Sequence, residues 1–408
     1  MDLDILFLGK LFPREKEAEI KAKMKAGMQD AANALQYHII DGLDANDCGT
    51  IRILSYLPVG SYPRSYADAR IAPYAFRHSS RYDAGDLVVG CTNMTIIKQF
   101  ANRRPFCRQL RQWIRSDSGR PKVLLLYTPT RLFLSLAKYV KRLNPTIMTC
   151  CIIADIPEFI TGRTLHGAAK LFSDYEVRKT NALYRYIDRF VLLTEQMAPK
   201  LGITVPYLVM EGIAPDPSAV PADAPIPAGD YILYTGTLNY EFGIEVLLQA
   251  FSQIQNSHWK LVICGFGQAE KAIRETSDPR IVYLGRVDRA QALALQQGAM
   301  LLVNPRQNNA EFTKYSFPSK TMEYLASGVP VVAYKLDGIP DAYDPYLNYV
   351  PDNSPEALAA VITDIGSRSA EERRAMGQRA KAFVTGEKSA KKQAGRILRF
   401  LEEGLSES

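Results

Sequence analysis

Short apolar runs alternate along this chain with longer segments in which apolar residues recur every three to four positions. This alternation predicts parallel strands joined by crossover helices, and therefore an α/β fold class. In the first half, the predicted strands cover residues 4–8, 50–54, 87–90, 123–127, 149–154 and 189–193. Amphipathic helices are predicted between several of these strands, for example over residues 17–41 and 130–143.

The same alternation restarts at residue 231. The predicted strands there are 231–234, 259–264, 281–284, 301–304 and 329–334. The predicted helices are 243–255, 268–276, 289–297, 319–326, 354–366, 371–383 and 388–405. Residues 206–230 separate the two halves, and their Pro- and Ala-rich composition without periodicity predicts a linker.

Two doubly wound α/β domains follow from this pattern. We predict a first domain over residues 1–205, a linker over 206–230, a second domain over 231–387 and a C-terminal helix within 388–408. In doubly wound sheets, ligands bind beyond the carboxyl ends of the strands. The expected site is therefore a cleft that the two domains share.

Charge is unevenly distributed between the halves. Residues 1–200 contain 30 Lys and Arg against 19 Asp and Glu, a balance of +11 within a total of +7. Five arginines cluster in the predicted amphipathic helix at residues 103–115. This helix is either solvated and packed by its aromatic side, or it contacts an anionic membrane surface or a phosphorylated lipid acceptor. Nucleic acid also suits such charge, but we do not expect it as the partner.

Composition excludes several other classes. The proportions of 47% hydrophobic and 23% charged residues are typical of a soluble globular protein. No apolar stretch approaches the roughly 20 residues that span a bilayer, and the acidic N-terminus does not resemble a signal peptide. We therefore expect a cytoplasmic protein. The six scattered cysteines predict reduced core residues, and four widely spread histidines give little support for a metal site or a triad.

The segment KYSFPSKTMEYLASGVPVVAY (314–334) carries the clearest chemistry. Pro318 suits the first turn of a helix, where free N–H groups of Ser319, Lys320 and Thr321 would favour an anion. Lys320 adds a full charge, and Arg306 could add a bidentate fork. Glu323 lies on the same helix side and could accept hydrogen bonds from a ribose diol. Alternatively, the cluster is a helix start with a surface ion pair between Lys320 and Glu323, which needs no ligand.

Two further loops leave predicted strand ends with small residues. Gly236 and Thr237 follow the first strand of the second domain. Gly265 and Gly267 follow the second strand, where glycine allows a backbone to approach a ligand closely. The GxG pattern lacks a third glycine at the dinucleotide spacing, so by itself it is a weak signal.

These blocks resemble a known family in their order and spacing. YTGTL, FGIEVLLQAF, VICGFGQAE, VYLGRV, LLVNPR and SFPSKTMEYLASGVPVVA are similar to the nucleotide-binding domain of retaining GT-B glycosyltransferases of family four. The resemblance implies two Rossmann-like domains facing a cleft, a UDP- or GDP-sugar donor in the second, an acceptor site mostly in the first, and no metal. It also implies that the last helix crosses back to the first domain.

The resemblance further implies roles for single residues. Gly9, after the first strand, and Arg286, near the base, would join the donor site, and Asp155 would orient the acceptor hydroxyl. An alternative for Asp155 is a turn cap before Pro157.

This chain also departs from the family. Tyr315 stands where many members have the first of two glutamates, and Thr237 and Phe242 stand where many have an Arg and a Lys on the donor diphosphate. We infer that Arg306 and Lys320 replace that cationic pair.

The expected function is therefore retaining transfer of a sugar to a saccharide, with a lipid-linked glycan of exopolysaccharide synthesis at the inner membrane face as the favoured acceptor. A non-catalytic GT-B partner subunit, or a sugar-nucleotide epimerase, would explain the same blocks.

Overall fold

The chain folds into two compact units. In the computed structural model, one unit comprises Met1–Met210 with Ala390–Ser408, and the other comprises Glu211–Ser389. The structure describes residues 1–25, 30–81, 85–94, 103–156, 167–215, 226–309 and 311–407. Among these residues, no helix combines the length and the apolar character that crossing a bilayer requires.

In the described part of the first unit there are ten strands. They are β1 (Leu3–Gly9), β2 (Gly49–Ser55), β3 (Arg70–Ile71), β4 (Tyr74–Phe76), β5 (Asp86–Val88), β6 (Cys91–Thr92), β7 (Lys122–Tyr127), β8 (Met148–Ile153), β9 (Arg189–Leu192) and β10 (Tyr207–Val209). The main sheet has the order β10-β9-β8-β7-β1-β2-β5-β4, and β3 pairs separately with β6. Within the main sheet only β4 and β5 pair antiparallel. The strands β1 and β8 are buried along their whole length, as expected for a parallel sheet covered on both faces.

Among the described residues before Met210, six helices accompany these strands. They are α1 (Glu17–Ala22), α2 (Asp30–Asp44), α3 (Arg103–Arg115), α4 (Arg131–Leu143), α5 (Ala168–Asn181) and α6 (Met197–Leu201). The single helix predicted over residues 17–41 is wrong, because α1 ends at Ala22 and Met24 forms a bridge with Tyr66. The basic helix α3 is amphipathic as predicted, with Phe106, Leu110 and Trp113 buried.

The second unit has one six-stranded parallel sheet. Its strands are β11 (Tyr231–Thr237), β12 (Lys260–Phe266), β13 (Ile281–Gly285), β14 (Leu301–Asn304), β15 (Val331–Ala333) and β16 (Asn348–Tyr349), in the order β13-β12-β11-β14-β15-β16. Its helices are α7 (Ile244–Gln253), α8 (Glu270–Arg274), α9 (Arg289–Gly298), α10 (Ser319–Ser327), α11 (Pro355–Ser367) and α12 (Ala370–Glu387). The two-residue strand β16 had no periodicity by which to predict it.

The structure differs from the prediction at the ends of the linker and of the last helix. Residues 207–209 of the predicted linker form β10, which pairs parallel with β9. Residues 216–225 of that linker lie outside the described residues. The last helix, α13, runs from Ala390 to Ser406 and belongs to the first unit. It approaches α2 so closely that a Cβ on Gly42 would lie 2.2 Å from the Ala390 carbonyl oxygen.

Candidate active site

The candidate donor site lies at the carboxyl edge of the second unit's sheet. The strands β12, β11 and β14 are neighbours there, so the loops that follow them lie side by side. The register pairs Gly236 with Gly265 and Thr237 with Phe266. The predicted donor residues that follow these strands therefore do meet at one edge.

The glycines of the β12 loop are required by packing between loops. Gly265 has a φ of +141°, and a Cβ on it would lie 1.8 Å from the Gly236 carbonyl oxygen. A Cβ on Gly267 would lie 2.6 Å from the backbone carbonyl of Leu238. From the sequence, we explained these glycines by the close approach of the backbone to a ligand. That explanation is incomplete, since the neighbouring backbone already requires glycine at both positions.

The start of α10 differs in two respects from the prediction. Pro318 is the residue before the helix and not its first residue. The Thr321 N–H donates to the Pro318 carbonyl at 2.8 Å, so it is not available to an anion. The Thr321 hydroxyl, fully buried, accepts from Asn304 at 3.1 Å. Of the three predicted donors, only the N–H groups of Ser319 and Lys320 have no acceptor among the described residues.

Lys320 and Glu323 form an ion pair, with Nζ 2.7 Å from Oε1. The pair is only partly at the surface, because the Lys320 side chain is 39% exposed and the Glu323 side chain 15%. Burial alone would raise the pKa of Glu323, but the Lys320 charge and hydrogen bonds from Lys320 and Gln296 outweigh it and hold that pKa below its ordinary value. Both donors reach Oε1, and no described residue donates to Oε2. One carboxylate oxygen therefore remains for a ligand.

Arg306 is a half-buried cation close to two aromatic rings. Its guanidinium carbon lies 4.4 Å from the ring centre of Phe312 and 5.5 Å from that of Phe242. Its Nη2 donates to the Ser316 hydroxyl at 3.0 Å, whereas its buried Nε has no hydrogen-bond partner.

Arg306 also lacks a counter-ion, since it forms no ion pair with any carboxylate in the described ranges. Burial lowers the pKa of Arg306 to about 10, although the Glu241 charge opposes this. A desolvated cation without a counter-ion is costly unless an anion joins it.

Two other predicted residues flank this edge. Tyr315 ends a short 3₁₀ turn (Glu311–Tyr315), and its hydroxyl lies 3.5 Å from a Glu311 carboxylate oxygen. Arg286 follows β13 and lies over the Phe266 ring, 4.9 Å from its centre, and Phe266 is 52% exposed. An exposed aromatic ring beside a cation can receive a planar ligand group.

Gly9 and Asp155 belong to the first unit. Gly9 ends β1, and the next turn is held by Gln36, whose side chain accepts from the Lys10 N–H and donates to the Lys10 carbonyl, each at 2.7 Å. Asp155 follows β8 and is accessible, while surrounding protein raises its pKa by desolvation. The neighbouring residues 157–166, including Pro157, lie outside the described residues. Among the residues that the structure describes, no cluster of His, Cys, Asp or Glu could hold a metal ion.

Sequence reasoning missed Gln296 in α9. Its side chain is completely buried, and its Nε2 donates to Thr235 Oγ1 at 3.0 Å and to Glu323 Oε1 at 2.6 Å. The sequence signal that could have found it is its spacing. Gln296 follows the buried Leu293 by three residues in the same helix, so it lies on the buried face.

Comparisons with known proteins identify a family with which the second unit shares sequence. Residues 229–367 match the family described as Glycosyl transferases group 1. A curated relative, an uncharacterized glycosyltransferase from Methanocaldococcus jannaschii, is 28% identical over 149 residues. That alignment covers 34% of this chain and 37% of the relative, so the chain spans little more than a third of the relative's length.

Solved structures extend the likeness to nearly the whole chain. Sucrose-phosphate synthase from Thermosynechococcus elongatus is similar with a TM-score of 0.66 at 16% identity, covering 99% of this chain and 100% of that one. HepE from Anabaena, in complex with UDP, is similar with a TM-score of 0.56 at 14% identity and the same coverage. These likenesses confirm the predicted GT-B fold class.

Proposed function

We propose that this protein is a glycosyltransferase that moves a sugar from a nucleotide diphosphate sugar to a saccharide. The observation that carries the proposal is Arg306, a half-buried cation whose buried Nε has no partner and which has no described counter-ion. It lies at the sheet edge where doubly wound folds bind ligands. A donor diphosphate would supply the missing negative charge through charge-assisted hydrogen bonds. The match to Glycosyl transferases group 1 and the UDP complex of HepE support this class of donor.

The other residues of the edge take complementary roles. The Ser319 and Lys320 N–H groups and the Lys320 ammonium face the diphosphate with Arg306, beside Gly236 and Thr237. Glu323 Oε2 accepts from the ribose diol. The loop Gly265–Gly267, with Phe266 and Arg286, borders the base, and Tyr315 stands at the sugar side.

Retention of configuration is the proposed stereochemistry. The bond from the sugar's anomeric carbon to the diphosphate breaks, and a bond to the acceptor oxygen forms on the same face. The acceptor proton passes to the leaving diphosphate oxygen, so stabilising charge on the diphosphate lowers the barrier. Asp155, raised in pKa, accepts a hydrogen bond from the acceptor hydroxyl and orients it. No metal ion takes part in this scheme.

The acceptor is proposed to be a lipid-linked glycan of cell-surface polysaccharide synthesis, reached at the inner face of the plasma membrane. Support comes from α3, where Arg104, Arg108, Arg111 and Arg115 follow one another at spacings of four, three and four residues and are all exposed. Such spacing puts them on one face of the helix. None of them pairs with a carboxylate in the described part of the chain, which suits anionic lipid head groups.

Nucleotide binding and turnover test the proposal directly. Purified protein is screened by thermal shift against UDP, GDP and ADP, because a ligand that binds the native state raises apparent stability. We expect one nucleotide to raise Tm in a concentration-dependent way, and its sugar conjugates to release nucleotide when an acceptor is added. NMR of the product's anomeric proton then reports retention. Absence of binding by all three nucleotides contradicts the proposal.

A non-catalytic GT-B subunit is the second candidate. It is favoured by Thr237 and Phe242, which replace two cations of the family resembled, and by the engagement of Lys320 with Glu323. Such a subunit would release no nucleotide from any sugar donor, alone or with acceptor, but would change the activity of a partner transferase.

A further inference from the structure

We infer that Gln296 is a positioning residue that fixes the Glu323 carboxylate for a ligand's vicinal diol. The inference rests on the proposed function and adds to it the residue that prepares the ribose contact. Gln296 lies on α9, Glu323 on α10 and Thr235 on β11, so a single carboxamide joins three elements.

The orientation of this carboxamide follows from its partners. Nε2 lies 2.6 Å from Glu323 Oε1. A reversed amide would place an acceptor oxygen against a carboxylate oxygen, which is repulsive. The amide nitrogen is therefore directed to Glu323, and together with Lys320 it occupies Oε1. Oε2 is the oxygen left to accept from a ligand.

This orientation leaves the Gln296 carboxamide oxygen buried without a hydrogen-bond partner. An orphaned buried acceptor is unfavourable for folding, and an apolar side chain of the same size would avoid it. Gln296 contacts no solvent, so it does not touch the ligand itself. A role in folding alone therefore does not explain why a polar side chain contacts Glu323 at this position.

The other end of the network is held in place by hydrogen bonds between Thr235 and Tyr324. Thr235 Oγ1, which accepts from Gln296, also lies 3.3 Å from the Tyr324 hydroxyl. The Tyr324 hydroxyl accepts from the Thr235 N–H at 2.8 Å and donates to the Thr235 carbonyl at 3.1 Å. Because Tyr324 adjoins Glu323 on α10, the network fixes both the helix and its carboxylate relative to β11.

The test compares Gln296→Leu with wild type in binding two ligands. One is the nucleotide among UDP, GDP and ADP that wild type binds most tightly, and the other is its 2′,3′-dideoxy analogue. We expect the Kd of the natural nucleotide to rise roughly tenfold in the variant, the scale of a lost hydrogen bond to a charged group. The Kd of the dideoxy analogue should stay unchanged, so the variant no longer discriminates between them.

Gln297→Leu is the matched control, since Gln297 is exposed on the same helix. It should retain full discrimination. Gln296→Met provides a second variant should the leucine fail to fold.

Equal weakening of both ligands, or retained discrimination in the Gln296 variants, overturns this inference while the proposed function stands. Failure of wild type to bind any of the nucleotides overturns both.

Discussion

Two sets of cations in this molecule differ in burial and not in residue type. The arginines of α3 are exposed, and Arg111 donates to the Tyr139 hydroxyl at 3.1 Å. Arg306 of the second unit is half-buried beside two rings, and its Nε is buried and unsatisfied. None of them has a carboxylate partner among the described residues. Water solvates the first set, so its attraction for anions is diffuse and screened by salt. Arg306 has lost that solvation, so an anion that reaches it is held strongly.

A buried histidine in the first unit, His78, shows the opposite arrangement. His78 Nδ1 lies 2.6 Å from Asp86 Oδ2, and its Nε2 lies 3.6 Å from Asp44 Oδ2. Burial would lower the pKa of His78, but the nearby Asp44 carboxylate and the hydrogen-bonded Asp86 carboxylate raise it to about 9. Carboxylates therefore already complete the His78 site, whereas the Arg306 site is complete only with a ligand.

The largest expected effect comes from removing the exposed set. We expect the variant with Arg104, Arg108, Arg111 and Arg115 changed to Gln to lose about 4 kcal/mol of affinity for vesicles containing phosphatidylserine, at about 1 kcal/mol for each cation. Co-sedimentation with vesicles at low salt measures this loss.

The matched control removes four exposed cations from α12 and α13, namely Arg374, Arg379, Lys391 and Arg399. It should bind vesicles like wild type. Equal loss in both variants would mean that net charge, and not the α3 face, drives binding.

Removing the Arg306 cation is expected to weaken nucleotide binding. In Arg306→Met we expect about 3 kcal/mol weaker nucleotide binding, roughly a hundredfold, because a charge-assisted hydrogen bond is lost in a desolvated site. The unliganded variant should be as stable as wild type, since methionine needs no counter-ion. Isothermal titration and thermal unfolding measure the two quantities.

Lys320→Ala is the comparison for Arg306→Met. It should weaken binding less, since its ammonium is already paired with Glu323. Unchanged nucleotide affinity in both variants would refute the proposal that these residues replace the missing cationic pair.

The paired cation His78 predicts a pH dependence of stability. Because its folded pKa of about 9 exceeds the ordinary 6.5, the contribution is complete below about pH 6.5 and is lost as pH rises through 9. Linkage gives a loss of about 2 kcal/mol in unfolding free energy of the first unit between pH 7 and 9. Urea titrations followed by Trp113 fluorescence, in a Trp259→Phe background, measure it.

His78→Gln should remove this slope, whereas His258→Gln, at an exposed histidine of the second unit, should leave it intact. A persisting slope in His78→Gln would assign the titration to another group.

Much of the fold could be predicted from the sequence because it depends on local periodicity. The strands β1, β7, β8, β11, β12 and β14 all overlap their predicted ranges, since their apolar runs are long enough to be distinctive. The family resemblance was enough to propose Arg306. Spacing on one helix was a further ground for Lys320 and Glu323. The two-residue strand β16 and the break after Ala22 could not be predicted, since neither changes the local pattern.

By itself, the sequence determined which residues are charged, which faces of the helices are apolar and in what order strands and helices follow. The tertiary structure alone decided that Phe242 and Phe312 lie beside Arg306 and that Gln296 reaches Glu323. It also decided that the Thr321 N–H is already hydrogen-bonded. The physical reason is that periodicity concerns neighbours within one element. Desolvation and hydrogen bonding depend instead on groups that folding brings together from distant parts of the chain.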